Sequence, residues 1–104
     1  MTIQRDMDSN KQQLLLYLSG RLDTGTAPQL EAALKEDIQT ARQLTLDFQQ
    51  LEYLSSAGLR VLLATQKIMQ AKEGMVIRHV NAVIMEIFDI TGFSDILTIE
   101  HAAR

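Results

Sequence analysis

The amino-acid sequence predicts an α/β domain built on a mixed β-sheet, and three observations carry that expectation. Two segments of strand character precede the first helical pattern, apolar spacing then switches between helical and strand periods along the rest of the chain, and 104 residues suffice for one core. A chain of this size buries roughly two-thirds of the surface it exposes when unfolded. Its 46% hydrophobic content is ordinary for a globular protein. The expected order is β-β-α-β-α-β-α-β, with four to five strands in one domain spanning residues 1–104.

Residues Thr2 to Met7 alternate, with Ile3, Arg5 and Met7 opposed to Thr2, Gln4 and Asp6, and Asp8-Ser9-Asn10 follows as a turn, so an edge strand is expected. The apolar run Leu14 to Leu18, ending at Ser19-Gly20, suits a strand covered on both faces and antiparallel to the first. Thr26 with Gln29 three positions later has the form of a capping box, and Pro28 falls in the first turn of the helix it opens. Leu30, Ala33, Leu34, Ile38 and Ala41 follow helical spacing, with Glu31, Lys35, Glu36 and Gln39 on the other side. Leu44, Leu46 and Phe48 alternate as a third strand, which a right-handed crossover makes parallel to the second. From Ala57 to about Lys72, Leu59, Leu62, Leu63 and Met69 mark one helical stripe, and Val61, Ala64 and Ile68 mark another beside it. Glu73-Gly74 ends that helix and Met75 to Val80 reads as a fourth strand. Asn81 can cap a helix carrying Val83, Ile84, Ile87 and Phe88, Gly92 closes it, and Ile96 to Ile99 is a last short strand.

Composition excludes several functions. A net charge of −3 with ten scattered Lys and Arg residues offers no basic stripe for nucleic acid, and the absence of Cys removes thiol catalysis and Cys-based zinc sites. Two histidines, His79 and His101, with no acidic cluster supply no metal shell, and no glycine-rich phosphate loop occurs, so neither metal nor cofactor is expected. The first thirteen residues are polar and the apolar runs Leu14–Leu18 and Val61–Ala64 are too short to cross a bilayer, so a cytoplasmic protein without membrane insertion is expected. Ser56-Ala57-Gly58 is the second half of a nucleophile elbow, but Leu54 stands where that motif needs Gly and no triad partners are recognisable. No catalytic residue is therefore assigned.

Binding sites in open α/β sheets gather where parallel strands end at their C-termini, which singles out three loops: Gly20–Thr26, Gln49–Ser56 and His79–Asn81. The second carries Leu54-Ser55-Ser56-Ala57-Gly58 at a helix start. Either serine can be a plain N-cap. Alternatively one hydroxyl is a phosphoacceptor, whose phosphate would meet free N–H groups and the positive end of the helix dipole, with Gly58 keeping the backbone approachable. Asp23 should reach the same edge, where it either caps its own loop or places a carboxylate beside the hydroxyls.

Gly20-Arg21-Leu22-Asp23, the Ala-Pro-x-Leu helix start and Leu51-x-Tyr53-Leu54-Ser55-Ser56-Ala57-Gly58-Leu59-Arg60 together resemble the STAS domain of bacterial anti-sigma-factor antagonists. The resemblance spans nearly the whole chain. It implies a cytoplasmic protein that binds an anti-sigma factor, often a Ser/Thr kinase with an ATP-binding fold like that of histidine kinases. Phosphorylation would release that partner, and a metal-dependent, PP2C-type phosphatase would reverse it. On this resemblance the phosphoacceptor falls on Ser56, with Ser55 as second choice, and Asp23, Thr24, Ser55, Ser56, Ala57, Gly58 and Arg60 form the partner-binding edge. The chain departs from the best-known members, which carry Asp before the acceptor and a hydroxyl after it, where Ser55 and Ala57 stand here. Arg60 occupies a position where those members tend to have a small residue. The competing expectation is a STAS module that does not switch, for example an accessory subunit of a lipid-transport ABC complex or a scaffold.

Overall fold

In the computed structural model, which describes residues 1–100, the chain opens with β1 (Thr2–Asp8), paired antiparallel with β2 (Gln13–Leu22). Asp8 Oδ1 shapes the turn between them by accepting the N–H groups of Asn10 and Lys11, at 3.1 and 3.2 Å. Then follow α1 (Ala27–Asp37), β3 (Gln43–Leu54), α2 (Ser56–Gln70), β4 (Met75–Arg78), α3 (Ala82–Thr91), a 3-10 turn at Phe93–Asp95 and β5 (Thr98–Glu100). The five strands lie in sequence order across one sheet, and β2 to β5 are parallel. The predicted element order and mixed sheet are thus observed. His101, one of the two histidines considered above, lies outside the described residues.

The core forms on one face of the sheet. Leu14, Leu16 and Leu18 of β2, Leu44, Leu46 and Phe48 of β3, and Met75 and Ile77 of β4 are buried in one cluster with Leu30 and Leu34 of α1 and Leu59, Leu62 and Met69 of α2. Ile84 and Phe88 of α3 join it. On the opposite face Tyr17 is 40% exposed, and Leu15, Thr45, Val76 and Arg78 are half-buried. The expectation that the Leu14–Leu18 run is covered on both faces is corrected here. Successive right-handed crossovers that all step the same way across a sheet deliver their helices to the same side, so the second face stays open.

Other boundaries also move. β2 continues past Ser19-Gly20 because Gly20, at φ +93°, takes a left-handed conformation inside the strand, with register shifts against β3 on either side. β3 runs on to Leu54, so Gln49–Leu54 is strand where a loop was expected. The period-2 pattern breaks at the exposed pair Gln49-Gln50 and burial resumes at Leu51. α1 ends at Asp37, whose carboxylate at the negative helix end is held by the Arg5 guanidinium, with Nη2 at 2.9 Å from Oδ1. Ile38 and Ala41 therefore pack from a turn, whose carbonyls at Ile38, Gln39 and Ala41 accept from the Lys72 ammonium. The 3-10 turn Phe93–Asp95 closes at Ile96, so the last strand expected over Ile96–Ile99 begins only at Thr98 and runs three residues, to Glu100. Asn81 caps α3 as predicted, accepting from the Ile84 N–H at 2.8 Å, and its Nδ2 ties the cap to the Leu51 carbonyl at 2.9 Å. Gly92 is the left-handed C-cap, at φ +81°.

On the open face Asp47 is 2% exposed. It accepts from Arg78 Nε at 2.9 Å and from the Gln49 N–H at 2.9 Å, and its Oδ2 lies 3.0 Å from His79 Nδ1. Burial pushes its carboxyl up, but these hydrogen bonds and the neighbouring imidazole outweigh burial and hold it below the ordinary carboxylate range. A carboxyl depressed by folding contributes stability above its unfolded pKa of about 3.9, and that contribution disappears as pH falls through the folded value. The melting midpoint should therefore be flat from about pH 7 to 5 and fall below about pH 4. Asp47→Asn should cost about 1.5–3 kcal/mol at neutral pH and flatten the acid limb, measured by circular dichroism melts across pH. An unchanged acid limb in the variant would contradict this role.

Candidate functional site

The ends of β2 and β3 and the start of α2 meet at one edge because the chain leaves β3 directly into the helix. The Ser55 N–H donates to the Leu22 carbonyl at 2.9 Å, which fastens the β3–α2 junction to the last residue of β2. Gly58, one turn into α2, lies against the same residue. A Cβ on it would sit 2.8 Å from Leu22 Cγ and 3.2 Å from the Leu22 carbonyl oxygen. Gly58 is buried, so the expectation that it keeps backbone open for a phosphate is replaced by a packing role. Gly58→Ala should cost about 1–3 kcal/mol by pushing α2 off β2, read from chemical-denaturation midpoints; a variant as stable as wild type would show that Leu22 moves aside freely.

The two serines are placed differently. Ser55 is the N-cap residue of α2, with extended backbone at φ −103° and ψ −179°, yet its side chain makes no capping bond. Its hydroxyl oxygen is buried and has no hydrogen-bond partner. Ser56 is the first helical residue and is exposed. Plain capping by either hydroxyl is thus not what the structure shows. An N-cap Ser that made its bond would lose about 1 kcal/mol on truncation. Removing an orphaned buried hydroxyl has the opposite sign, because its desolvation cost of about 1–3 kcal/mol goes with it. Ser55→Ala should therefore melt at or above the wild-type temperature, and a clear loss of stability would restore the capping role.

Across the junction, Asp23 organises the loop between β2 and α1. Its Oδ1 accepts from the Gly25 N–H at 3.0 Å, the Thr26 N–H at 3.1 Å and the Thr26 hydroxyl, whose oxygen lies 3.2 Å away. The Thr26 hydroxyl in turn accepts from the Asp23 N–H at 2.8 Å and lies 2.8 Å from the Arg21 carbonyl. Thr26 so engaged makes no side-chain cap on α1, and the predicted capping box with Gln29 is absent. Partial burial pushes the Asp23 carboxyl up, but the Thr26 hydroxyl, the two amides and the Arg21 charge outweigh it and hold it low. Oδ2 is left outward, 4.0 Å from Arg21 Nε. Oδ1 thus makes the expected local cap, and Oδ2 is left to the Arg21 charge.

Thr24 and Ala57 line a shallow hollow between the starts of α1 and α2, together with Arg60, Pro28 and Val61. Arg21 and Tyr53, neither singled out as a site residue from sequence, stack with the guanidinium carbon 4.5 Å above the ring. They are register partners across β2 and β3, a pairing visible only once β3 is known to extend to Leu54. His79, on the third loop, turns to Asp47 on the open face and not into this edge. Among the described residues no group of His, Cys, Asp and Glu is arranged to hold a metal ion, and no helix is long and apolar enough to cross a membrane.

A family model described as Mlab, STAS domain, matches residues 6–98. BtrV of Bordetella bronchiseptica is 34% identical over 98 residues, covering 92% of this chain and 84% of BtrV. The anti-sigma-B factor antagonist of Bacillus subtilis is 27% identical over 100 residues, covering 95% and 92% of the two chains. Among solved structures, the anti-sigma factor antagonist SpoIIAA in its unphosphorylated form superposes with a TM-score of 0.75 at 17% identity, over 98% of this chain and 90% of that one. The phosphorylated form of SpoIIAA superposes at 0.72, with 18% identity, over 96% and 92%.

Proposed function

The chain belongs to the STAS domain family, and on that premise we propose that it is an anti-sigma factor antagonist that works by partner switching. In its unmodified form it binds and sequesters an anti-sigma factor that is also a Ser/Thr kinase with a histidine-kinase-like ATP-binding fold. Phosphorylation of Ser56 releases that kinase, a PP2C-type phosphatase resets the protein, and the cycle runs in the cytoplasm to control sigma-factor-dependent transcription. The observation that carries this reading is the contrast at the start of α2: the Ser56 side chain is exposed, whereas the Ser55 hydroxyl is buried.

The chemistry belongs to the partner. The kinase would transfer the terminal phosphoryl group of ATP to Ser56 Oγ, forming the new O–P ester, breaking the bond to the leaving ADP and passing the hydroxyl proton to the kinase's base. This chain supplies the acceptor and the surface. Asp23 Oδ2, Thr24, Ser56, Ala57 and Arg60 make the contact edge, while Ser55 and Gly58 support it from beneath. The open sites at a helix N-terminus and the field of its dipole tolerate the added charge without unfolding. SpoIIAA, a neighbour in fold, is a phosphoprotein in one of its two solved forms, which supports such tolerance.

Incubating the full chain with candidate anti-sigma kinases and ATP, then mapping phosphate by mass spectrometry, tests the proposal. Phosphate on Ser56 with loss of the complex is expected. The second reading, a STAS module that binds without switching, draws on the absence of Asp before the acceptor and of a hydroxyl after it, and stable binding with no phosphate on either serine would favour it.

A further inference from the structure

Five arginines fall among the described residues, and four of them face carboxylates: Arg5 with Asp37, Arg21 with Asp23, Arg42 with Glu73 and Arg78 with Asp47. Of these five arginines, Arg60 alone makes neither an ion pair nor a side-chain hydrogen bond with another described residue. It is exposed on α2, four positions after the exposed Ser56. Residues four apart on a helix are neighbours on one face, and an anion placed N-terminal to a cation is the favourable orientation. No acidic residue stands in the first turn of α2, and Glu31 of α1, which lines the same hollow as Arg60, makes no ion pair with it. At the same helix start the buried Ser55 hydroxyl, an O–H donor, has no acceptor. The segment therefore holds an exposed hydroxyl and, one turn further along the same helix, an unpaired cation.

We propose that Arg60 is the intramolecular counter-ion of phosphorylated Ser56, so that modification adds a dianion and at the same moment withdraws the Arg60 guanidinium from the contact edge. The inference rests on the reading of Ser56 as the acceptor and specifies how the phosphate is read. Guanidinium and phosphate form short, charge-assisted and often bidentate hydrogen bonds, and an i, i+4 spacing lets Arg60 reach back without backbone movement. In the unmodified protein the same guanidinium is offered to the partner beside Thr24 and Ala57. Release then has two causes acting together: a hydrated anion appears in the contact, and a partner carboxylate loses its cation.

The test uses the full chain with phosphoserine placed at position 56 during translation, so it is independent of any kinase. Phosphorus NMR between pH 5 and 8 follows the second ionisation of the phosphate. A nearby guanidinium favours the dianion, so the titration midpoint should lie about 0.3–1 pH unit lower with Arg60 present than in Arg60→Gln. Arg42→Gln, which removes one charge far from the edge, should leave the midpoint at the wild-type value. Coincident titrations for wild type and Arg60→Gln, with native circular dichroism spectra for both, overturn the inference, as does an equal shift in Arg42→Gln. Failure of kinases to modify Ser56 would instead count against the functional proposal, by the mass-spectrometric experiment above.

Discussion

Incubated with ATP and the anti-sigma kinase proposed as partner, a Ser56→Ala variant should take up no phosphate and stay in complex with the kinase, whereas wild type should be modified and released. The expectation follows from exposure and charge. Phosphorylation adds about −1.5 to −2 charges at pH 7, and at the start of α2 that charge sits where the helix dipole welcomes it. The domain therefore keeps its fold. The cost appears only in the complex, where a hydrated dianion at the centre of a contact must be desolvated or exclude the partner. Ser56→Asp carries a smaller, singly charged group in the same place. It should bind about tenfold to a hundredfold more weakly than wild type, by calorimetry or surface plasmon resonance, with an unchanged circular dichroism spectrum. Ser55→Ala serves as the partner control and should still be phosphorylated. Phosphate on the Ser55 side chain of wild type, or release of Ser56→Ala by ATP, would move the acceptor one residue and undo the assignment.

Leu62→Ala is expected to be the most destabilising of the simple truncations in α2, at about 2–5 kcal/mol. Leu62 is fully buried in the cluster that joins α2 to the inner face of the sheet. α2 spans the junction between the contact edge and the core, so neighbouring side chains cannot close the void without moving the helix. Gln39→Ala, at an exposed position of the turn after α1, should stay within about 0.5 kcal/mol. Urea denaturation of the three proteins decides the matter, and equal midpoints for the two variants would refute the placement of Leu62.

The elements that could be read in advance are those whose signal is local. Asn81 with the Ile84 amide, Gly92 at a left-handed C-cap and the stripe Leu59/Leu62/Leu63/Met69, in which Leu63 is half-buried and the other three are buried, are each set by residues within a few positions of one another. What escaped depends on distant partners. β3 extends to Leu54 because β2 continues beside it through Gly20, and nothing in Gln49-Gln50 announces that continuation. Thr26 has the form of a capping residue, but Asp23 and the Arg21 carbonyl engage its hydroxyl. Gly58 is legible as a small residue at a helix start; that Leu22 requires it small is legible only in three dimensions. At the site, the edge shared by Asp23 and the two serines followed from topology. That the Ser55 hydroxyl is buried did not, because it depends on how β2 and α2 dock.

Strand order has a consequence for how the molecule assembles and opens. Each strand lies beside its immediate predecessor in the chain, so no pairing waits on a strand made much later. Loop-closure entropy is met in small instalments, and folding should resemble a zipper that runs outward from the long β2–β3 pair. The reverse process begins at the other end. β5 pairs with β4 over three residues only and follows a single 3-10 turn, so its amides should exchange with deuterium through local fraying. The amides shared by β2 and β3 should exchange only when the whole domain opens. The edge proposed for partner contact is fastened to that pair through the Ser55–Leu22 bond, so binding and release there should leave the last strand free to breathe.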